Sequence, residues 1–399
     1  MTTYNFDKII NRKGTNCLKY DFTVERGKPA EVLPLWVADM DFQVSEEITK
    51  SLHAAVEHGI YGYTQPKDPY YNAIMNWMKK NHQWETKREW IVKTPGVVFA
   101  LGAAVKAFTK PGDAVLIQNP VYYPFTNIIR DNDRRVIDNT LVYEKRVTEG
   151  KSQYSIDYED FERKIVQENI KLFILCNPHN PVGRVWTREE LQYLGEICLR
   201  HHVIVVSDEI HNDFVYPGFE HTVFANVDPC FAEFTVTCTA PSKTFNLAGL
   251  QISNIFIPNE TLREAFQKEI DKTGYDEPNA LGAVACEAAY RGGQEWLDQL
   301  RAYLLENLNF LRAYLQEKIP QIHLVEPEGT YLVWLDCSEL GISGKELDQF
   351  IVEKAGLWLD GGAMFGPSGA DFQRVNIACP RATLELALDK LKAAVDNLG

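Results

Sequence analysis

The segment FTVTCTAPSKTFNLAGL (234–250) joins a short apolar run to a serine–lysine pair and then to a glycine. Its first part, FTVTC (234–238), is rich in apolar and β-branched residues, which is typical of a strand buried on both faces of a parallel sheet. Ser242 and Lys243 follow directly after this predicted strand. Because most lysines lie at the protein surface, the pair becomes informative only when the ends of the other strands are compared with it.

Four further runs have the same character, namely AVLIQ (114–118), KLFILC (171–176), VIVVS (203–207) and NIFI (254–257). Between the runs, apolar residues recur at helical spacing, as they do from Val97 to Phe108. Thr187 and Glu190 form a T-x-x-E capping box at the start of another predicted helix. This alternation predicts an α/β domain with a mostly parallel sheet and helices on both of its faces.

The pattern changes near residue 286. The chain is rich in helical patterns to about residue 318, and a strand-like run, TYLVWLDC (330–337), and a predicted helix near 344–355 follow. These features predict a smaller α+β domain. We therefore expect two domains, a large one at 46–285 and a small one formed by an N-terminal arm (1–45) together with 286–399.

Composition excludes several classes of function. The chain has 399 residues and a net charge of −14, which argues against binding to nucleic acid or to anionic membranes. The N-terminal residues do not resemble a signal peptide, and no apolar stretch has membrane-spanning length. The eight cysteines are scattered without a CxxC pair, so we expect free, buried thiols and a cytoplasmic protein.

Polar side chains follow four of the predicted strands. Tyr122 comes after the first of these strands, Asn180 after the second, Asp208 and His211 after the third, and Lys243 after the fourth. In an open α/β sheet, ligands bind outside the carboxyl ends of the strands, so these side chains could meet one ligand. Each could also serve only a turn, a cap or packing. The glycine turn in TPGVVFALGAA (94–104) leads into a helix, whose free N–H groups could hold a phosphate.

The cluster DEIHND (208–213) also suggests a metal site formed by Asp208, His211 and Asp213. The three residues are purely local, and no second histidine falls in a matching segment of the chain. We therefore expect no metal.

Taken in order, NPHNPVG (177–183), SDEIH (207–211), SKTFNLAGL (242–250) and RVNIACPR (374–381) resemble the fold-type I pyridoxal 5′-phosphate enzymes of the class I/II aminotransferase superfamily. Within it, LPLWVADMDF (33–42), DEIH and NIACPR are similar to the MalY/PatB-type cystathionine β-lyases, also called cysteine-S-conjugate C–S lyases. The resemblance covers most of the chain.

The resemblance implies a role for each residue near the cofactor ring. Lys243 would bond covalently to the cofactor and later move the Cα proton of the substrate. Asp208 would pair with the ring nitrogen, and Asn180 would donate a hydrogen bond to the phenolic oxygen of the ring. Tyr122 would stack on the ring face.

The resemblance also implies how the phosphate is held. Ser242 and the backbone N–H groups of Val97 and Val98 would surround it. Tyr63 would reach it from a second subunit of a homodimer with shared sites, and Tyr61 is the alternative.

Arg374 would bind the α-carboxylate of the substrate, whereas Arg381 is expected at a helix start as a scaffold residue. Two positions depart from typical aminotransferases, which have a tyrosine at the position of His211 and an arginine at that of Gln251. Both departures occur in the lyase branch. We expect His211 near the cofactor, in a position behind it, and its role stays open.

The resemblance therefore implies a homodimeric lyase that cleaves the Cβ–S bond of L-cystathionine, L-cysteine or related sulfur conjugates. The products would be a thiol or sulfide, pyruvate and ammonia. Two alternatives remain, an aminotransferase with the same site and a regulatory protein whose lyase activity is secondary.

Overall fold

A seven-stranded sheet forms the centre of the computed structural model, which describes residues 2–146 and 151–398. In spatial order the strands are β2 (Ile91–Thr94), β10 (Ser253–Phe256), β9 (Thr235–Thr239), β8 (Ile204–Asp208), β7 (Leu172–Cys176), β3 (Ala114–Ile117) and β4 (Arg135–Asp138). Strands β9, β8, β7, β3 and β4 run parallel to one another, whereas β10 is antiparallel to both β9 and β2. The α/β prediction is confirmed, and each of the five expected strands ends within one residue of its predicted limits.

The sequence patterns did not predict the outer strands of this sheet correctly. The expectation that NIFI (254–257) belongs to a parallel strand is wrong, because strand direction depends on the connection and leaves no mark on an apolar run. The strands β2 and β4 were not predicted at all. Both lie at sheet edges, and β4 is exposed or half-buried, so the apolar signal of a central strand is absent there.

Apolar side chains cover both faces of the sheet. The helices that surround it, and those in the rest of the chain, are α1 (Glu46–His58), α2 (Asp68–His82), α3 (Val97–Phe108), α4 (Pro124–Asp131), α5 (Tyr158–Gln167), α6 (Arg188–Arg200), α7 (Pro241–Thr244), α8 (Glu260–Asp271), α9 (Ala280–Gly292), α10 (Gln294–Lys318), α11 (Gly344–Gln349) and α12 (Arg381–Asp396). Along β7, Leu172 and Ile174 join the core formed with α3, α4 and α8, whereas Phe173 and Leu175 join the core formed with α5 and α6. This division follows from the two-residue period of a strand.

A second, antiparallel sheet lies in the C-terminal part of the chain, as expected for an α+β unit. The helix expected at 344–355 is split, since α11 is followed by a wider π-helical turn at Phe350–Lys354. The sheet consists of β11 (His323–Val325), β12 (Leu332–Asp336), β15 (Phe372–Asn376) and β14 (Asp360–Gly361). Two smaller pairings are β1 (Leu33–Pro34) with β13 (Leu357–Trp358) and β5 (Val142–Arg146) with β6 (Lys151–Ser155).

The division into domains at residues 46 and 286 stays a prediction. One continuous apolar core includes Met40 and Leu300 from the proposed small domain and Trp77 and Phe245 from the large one. Met40 of the N-terminal arm is therefore part of a core that both proposed domains share.

The cysteine expectation is confirmed for six of the eight thiols, which are free and buried. It is wrong for Cys230, which is exposed, and Cys17 is half-buried. Within residues 2–146 and 151–398, no helix is both long and apolar enough to span a membrane.

The capping box of α6 gives a direct test of local stability. Glu190 N–H donates to Thr187 Oγ1 at 3.2 Å, and Thr187 N–H donates to Glu190 Oε2 at 2.8 Å. We expect Thr187→Ala to lower the free energy of unfolding by about 1 kcal/mol, because the first bond is lost. Thr261→Ala, at an exposed position inside α8, is the control and should change it by less than about 0.5 kcal/mol in the same urea titration. Equal effects of the two substitutions would contradict the capping role.

Candidate active site

A cavity of about 210 Å³ opens at the carboxyl ends of the parallel strands. Residues that follow β3, β7, β8 and β9 meet there, together with the start of α3 and the N-terminal segment near Ala38. The cavity has room for a small molecule. Its lining consists of Ala38, Pro95, Gly96, Val97, Val98, Tyr122, Cys176, Asn180, Asp208, Ile210, His211, Ser242, Lys243, Ala248 and Ile252.

Lys243 lies on the short helix α7 and extends into the cavity, where Nζ is 3.5 Å from the carbonyl oxygen of Ala38. Burial lowers the pKa of its amine to about 8, and the positive charge of Arg374 acts in the same direction. The negative charges of Asp39 and Asp208 partly offset this shift. A large fraction of the Lys243 amine is therefore neutral, and able to accept a proton, near pH 8.

Asp208 ends β8 and is buried beneath the same cavity. Its Oδ1 accepts a hydrogen bond from the backbone N–H of Ile210 at 3.2 Å. Burial raises the pKa of the carboxyl to about 7, although this hydrogen bond and the charge of Lys243 both act to lower it. A cationic ligand atom beside Asp208 would stabilise its ionised form.

His211 is buried and lines the cavity directly, in contrast to the position behind the ligand that the sequence suggested. Its ring meets the ring of Tyr331 edge-on, with centroids 5.8 Å apart, and Nδ1 is buried without a hydrogen-bond partner among the described residues. Burial holds the pKa of His211 well below its usual value, and the charges of Lys243 and Arg374 lower it further. The imidazole is therefore neutral.

The start of α3 forms one end of the cavity. Gly96 precedes the helix without a side-chain cap, so the first N–H groups of the helix, including those of Val97 and Val98, lack intrahelical partners. Ser242 lines the same cavity, and the ring of Tyr122 also borders it. Unpaired amides at a helix start attract anions, which makes this end suited to a phosphate.

Arg374 lies on β15, outside the set of residues that line the cavity, but it is bonded to one of them. Its Nη1 donates to Asn180 Oδ1 at 3.0 Å, and its Nη2 donates to the carbonyl oxygen of Trp36 at 2.8 Å and to Oδ2 of Asp360. The guanidinium group also packs over the ring of Phe365, 4.9 Å from its centroid. Sequence patterns gave no indication of these contacts: Trp36 lies in the quoted segment LPLWVADMDF (33–42), but nothing in that segment assigns its carbonyl to Arg374, and Asp360 belongs to none of the quoted motifs.

Three residues considered at the sequence level lie elsewhere in the chain's fold. Tyr63 is 96% exposed and lines a separate surface groove with residues 274–279, and Tyr61 lies in the same groove. Arg381 is the first residue of α12, where Nε donates to Asn307 Oδ1 at 2.8 Å, in keeping with a scaffold position. A contact of Tyr63 with the site therefore requires a second copy of the chain and stays a prediction.

The alternative metal cluster is not assembled, because Asp213 is directed away from Asp208 and His211. Asp213 Oδ1 accepts from Trp77 Nε1 at 3.1 Å and pairs with His82 Nε2 at 3.0 Å. Across residues 2–146 and 151–398, no group of three or more potential metal ligands is found. Asp213 Oδ2 also accepts a hydrogen bond from Oγ1 of Thr244, the residue after Lys243, at 2.6 Å, a contact that the sequence did not predict.

Residues 30–391 match the family model for aminotransferase class I and II. The chain belongs to this family. Among curated members, the cystathionine β-lyase PatB of Bacillus subtilis is 45% identical over 391 residues, which cover 98% of this chain and all of PatB.

Solved structures extend this similarity to the fold. Cystalysin from Treponema denticola, which contains pyridoxal 5′-phosphate, has 39% sequence identity, a TM-score of 0.95 and full coverage of both chains. The pyridoxal 5′-phosphate-bound C–S lyase of Staphylococcus hominis has 35% identity and a TM-score of 0.91, with 99% of this chain and 98% of that chain covered. Both cover the large and small sheets together.

The lowered pKa of Lys243 can be measured directly in the cofactor-free protein. We expect modification of Lys243 by an amine-directed reagent to rise with pH through a midpoint near 8, since only the neutral amine reacts. Arg374→Leu should move the midpoint up, and Asp39→Asn should move it down, because the two charges act in opposite directions. Peptide mass spectrometry provides the readout, and a midpoint near 10.4, the value of an unperturbed lysine, would contradict the assignment.

Proposed function

We propose that the protein is a pyridoxal 5′-phosphate-dependent carbon–sulfur lyase. It cleaves the Cβ–S bond of L-cystathionine, L-cysteine or related sulfur conjugates to a thiol or sulfide, pyruvate and ammonia. The observation that carries the proposal is the meeting of the Lys243 amine, the Asp208 carboxylate and the Asn180–Arg374 pair at one cavity. Two of the similar proteins are named cystathionine β-lyase and C–S lyase, which supports the same reaction.

The residues of the cavity fit the chemical groups of this cofactor. Lys243 offers an amine to the aldehyde, and Asp208 offers a buried carboxylate that would pair with the cationic ring nitrogen. Asn180 accepts from Arg374 through Oδ1, which leaves its Nδ2 hydrogens for the phenolic oxygen. The unpaired amides at the start of α3 and the Ser242 hydroxyl suit the phosphate.

Other side chains shape the surroundings of the ring. Tyr122 borders the cavity and provides an aromatic face for stacking, while Ile252 and Ala248 contribute apolar surface that excludes water. The neutral ring of His211 also lines the cavity. Its Nδ1 has no partner among the described residues, so it can form one hydrogen bond with the ligand without adding a charge.

The substrate is oriented by its carboxylate. Arg374 is buried and provides the positive charge for an α-carboxylate, and Asn180 links this arginine to the cavity. Binding of the carboxylate by Arg374 holds the Cα–H bond in one orientation relative to Lys243. This fixed orientation lowers the entropic part of the barrier to proton transfer.

The bound cofactor supplies an electron-accepting ring that stabilises negative charge at the substrate Cα. The neutral amine of Lys243 removes the Cα proton, and burial keeps enough of this amine neutral near pH 8. The electron pair left at Cα expels the thiolate from Cβ, which breaks the Cβ–S bond. The remaining enamine reacts with water to give pyruvate and ammonia.

We further propose a cytoplasmic homodimer in which Tyr63 of one chain completes the phosphate site of the other. The exposure of Tyr63 and of its neighbours Ile60 and Tyr61 supports this assembly, because a cluster of large apolar side chains is unusual at a free surface. Free buried thiols support a reducing compartment.

The reaction type is tested with cystathionine in the absence of any 2-oxo acid. We expect homocysteine and pyruvate to form in equal amounts, because elimination needs no acceptor. Elimination should exceed transamination of alanine by at least about a hundredfold, or about 2.7 kcal/mol of barrier difference. The measurement combines thiol titration with a coupled assay for pyruvate.

Lys243→Ala is the control for the site and should reduce turnover by at least about 10⁴-fold, whereas Lys272→Ala on the exposed end of α8 should leave it unchanged. Turnover that requires an added 2-oxo acid and releases no thiol would reject the lyase and favour the aminotransferase. Full lyase activity without a protein partner would argue against a mainly regulatory role.

Shared sites are tested by mixing two inactive variants. A dimer of one Lys243→Ala chain and one Tyr63→Ala chain carries one intact site, because the native Lys243 and the native Tyr63 meet across the interface. Unfolding and refolding an equal mixture should therefore restore about a quarter of wild-type activity, since half the dimers are mixed and each has one working site. Activity no higher than the mean of the two parent variants would show that the sites are not shared.

A further inference from the structure

The hydrogen bonds of Arg374 use both hydrogens of one guanidinium nitrogen, Nη2. Nη2 donates to the Trp36 carbonyl oxygen at 2.8 Å and to Asp360 Oδ2, so both of its hydrogens have acceptors. Nη1 donates to Asn180 Oδ1 at 3.0 Å, and Nε is buried without a partner among the described residues. The donors left for a ligand are the Nε hydrogen and one hydrogen of Nη1.

These remaining donors cannot bind a carboxylate in a bidentate manner. A carboxylate bridges two parallel N–H bonds, and a guanidinium group offers such pairs along its Nε–Nη2 edge and its Nη1–Nη2 edge. Both edges include Nη2. An incoming α-carboxylate therefore gains a bidentate contact with Arg374 only if Nη2 releases one of its two present acceptors.

The backbone acceptor is held in place more firmly than the side-chain acceptor. The carbonyl of Trp36 belongs to a segment fixed by main-chain bonds, since Leu35 N–H donates to Trp358 O at 2.9 Å and Asn376 N–H donates to Leu35 O at 2.9 Å. Asp360 reaches Nη2 through rotatable side-chain bonds from the opposite position of the β14–β15 pairing. Its carboxylate is the acceptor that can move.

Electrostatics favours the same exchange. Arg374 and Asp360 are both buried, so in the substrate-free site the carboxylate neutralises the guanidinium charge. A substrate adds a second carboxylate to the same cation, and the two anions repel in a region of low dielectric. Burial raises the pKa of Asp360, and the neighbouring charge of Asp348 raises it further, against the lowering effects of Arg374 and Lys28.

We propose that Asp360 is a positioning residue that competes with the substrate α-carboxylate for Nη2 of Arg374, and so sets how tightly the site holds carboxylates. The proposal rests on the proposed function, in which Arg374 binds that carboxylate. Substrate binding displaces Asp360 from Nη2. Pyruvate is a carboxylate as well, so the return of Asp360 to Arg374 weakens the hold on this product and favours its release.

The direct test is the affinity of the holoenzyme for propionate, which has a carboxylate but no amine to react with the cofactor. Asp360→Asn keeps the size of the side chain and an acceptor oxygen but removes the competing charge. We expect the dissociation constant for propionate, measured by isothermal titration calorimetry, to fall at least about tenfold. Because no turnover is involved, this result is independent of whether cystathionine is cleaved.

Asp348→Asn is the matched control. It removes the same charge from a neighbouring carboxylate, whose Oδ1 accepts from Gln373 Nε2 at 2.7 Å, and should change the propionate affinity by less than about twofold. In steady-state assays, Asp360→Asn should lower the KM for cystathionine and the inhibition constant of pyruvate by similar factors, without raising kcat. A purely structural role would raise KM instead.

An Asp360→Asn protein that is folded, keeps its cofactor absorption band and binds propionate no more tightly than the wild type would overturn the proposal. If this variant does not fold, a crystal structure of the wild-type holoenzyme with propionate decides. Displacement of Asp360 Oδ2 from Nη2 supports the competition, and propionate bound beside three unchanged hydrogen bonds of Arg374 overturns it.

Discussion

The buried guanidinium group of Arg374 is the interaction on which the arrangement of the site depends. It joins three parts of the chain, through the carbonyl of Trp36 in the N-terminal arm, Asn180 after β7 of the large sheet, and Asp360 on β14 of the small sheet. A buried charge without partners is strongly destabilising, so these segments are held together by the requirement to satisfy one cation. The cavity is bounded by the same N-terminal arm and the same Asn180.

A buried anion, Asp213, has the equivalent role behind Lys243. Besides Trp77 and His82 on α2, Asp213 accepts a hydrogen bond from Thr244 Oγ1 at 2.6 Å, and its backbone carbonyl accepts one from Arg301. These contacts hold the pKa of Asp213 below its usual value despite burial. Since Thr244 directly follows Lys243, the anion ties the lysine-bearing turn to the helices packed behind it.

Burial drives the ionisable groups of the cavity towards their neutral forms. The pKa of Lys243 falls to about 8, that of Asp208 rises to about 7, and His211 is neutral. A site whose own groups are shifted towards neutrality is suited to a ligand that carries charged groups, such as a ring nitrogen and a phosphate. It also keeps a neutral amine available for proton transfer, which a solvent-exposed lysine does not provide near neutral pH.

The sequence alone determined what is local: five strands of the large sheet, α3, the capping box of α6, and the convergence of Asn180, Asp208 and Lys243, because parallel strands place their carboxyl ends at one edge. Only the tertiary structure decided the direction of β10, the partners of Asp213 and the attachment of Arg374 to Trp36 and Asp360. The reason is physical. Periodicity records which face of an element is buried, whereas the choice of partner for a buried charge depends on residues that are distant in the chain and meet only after folding.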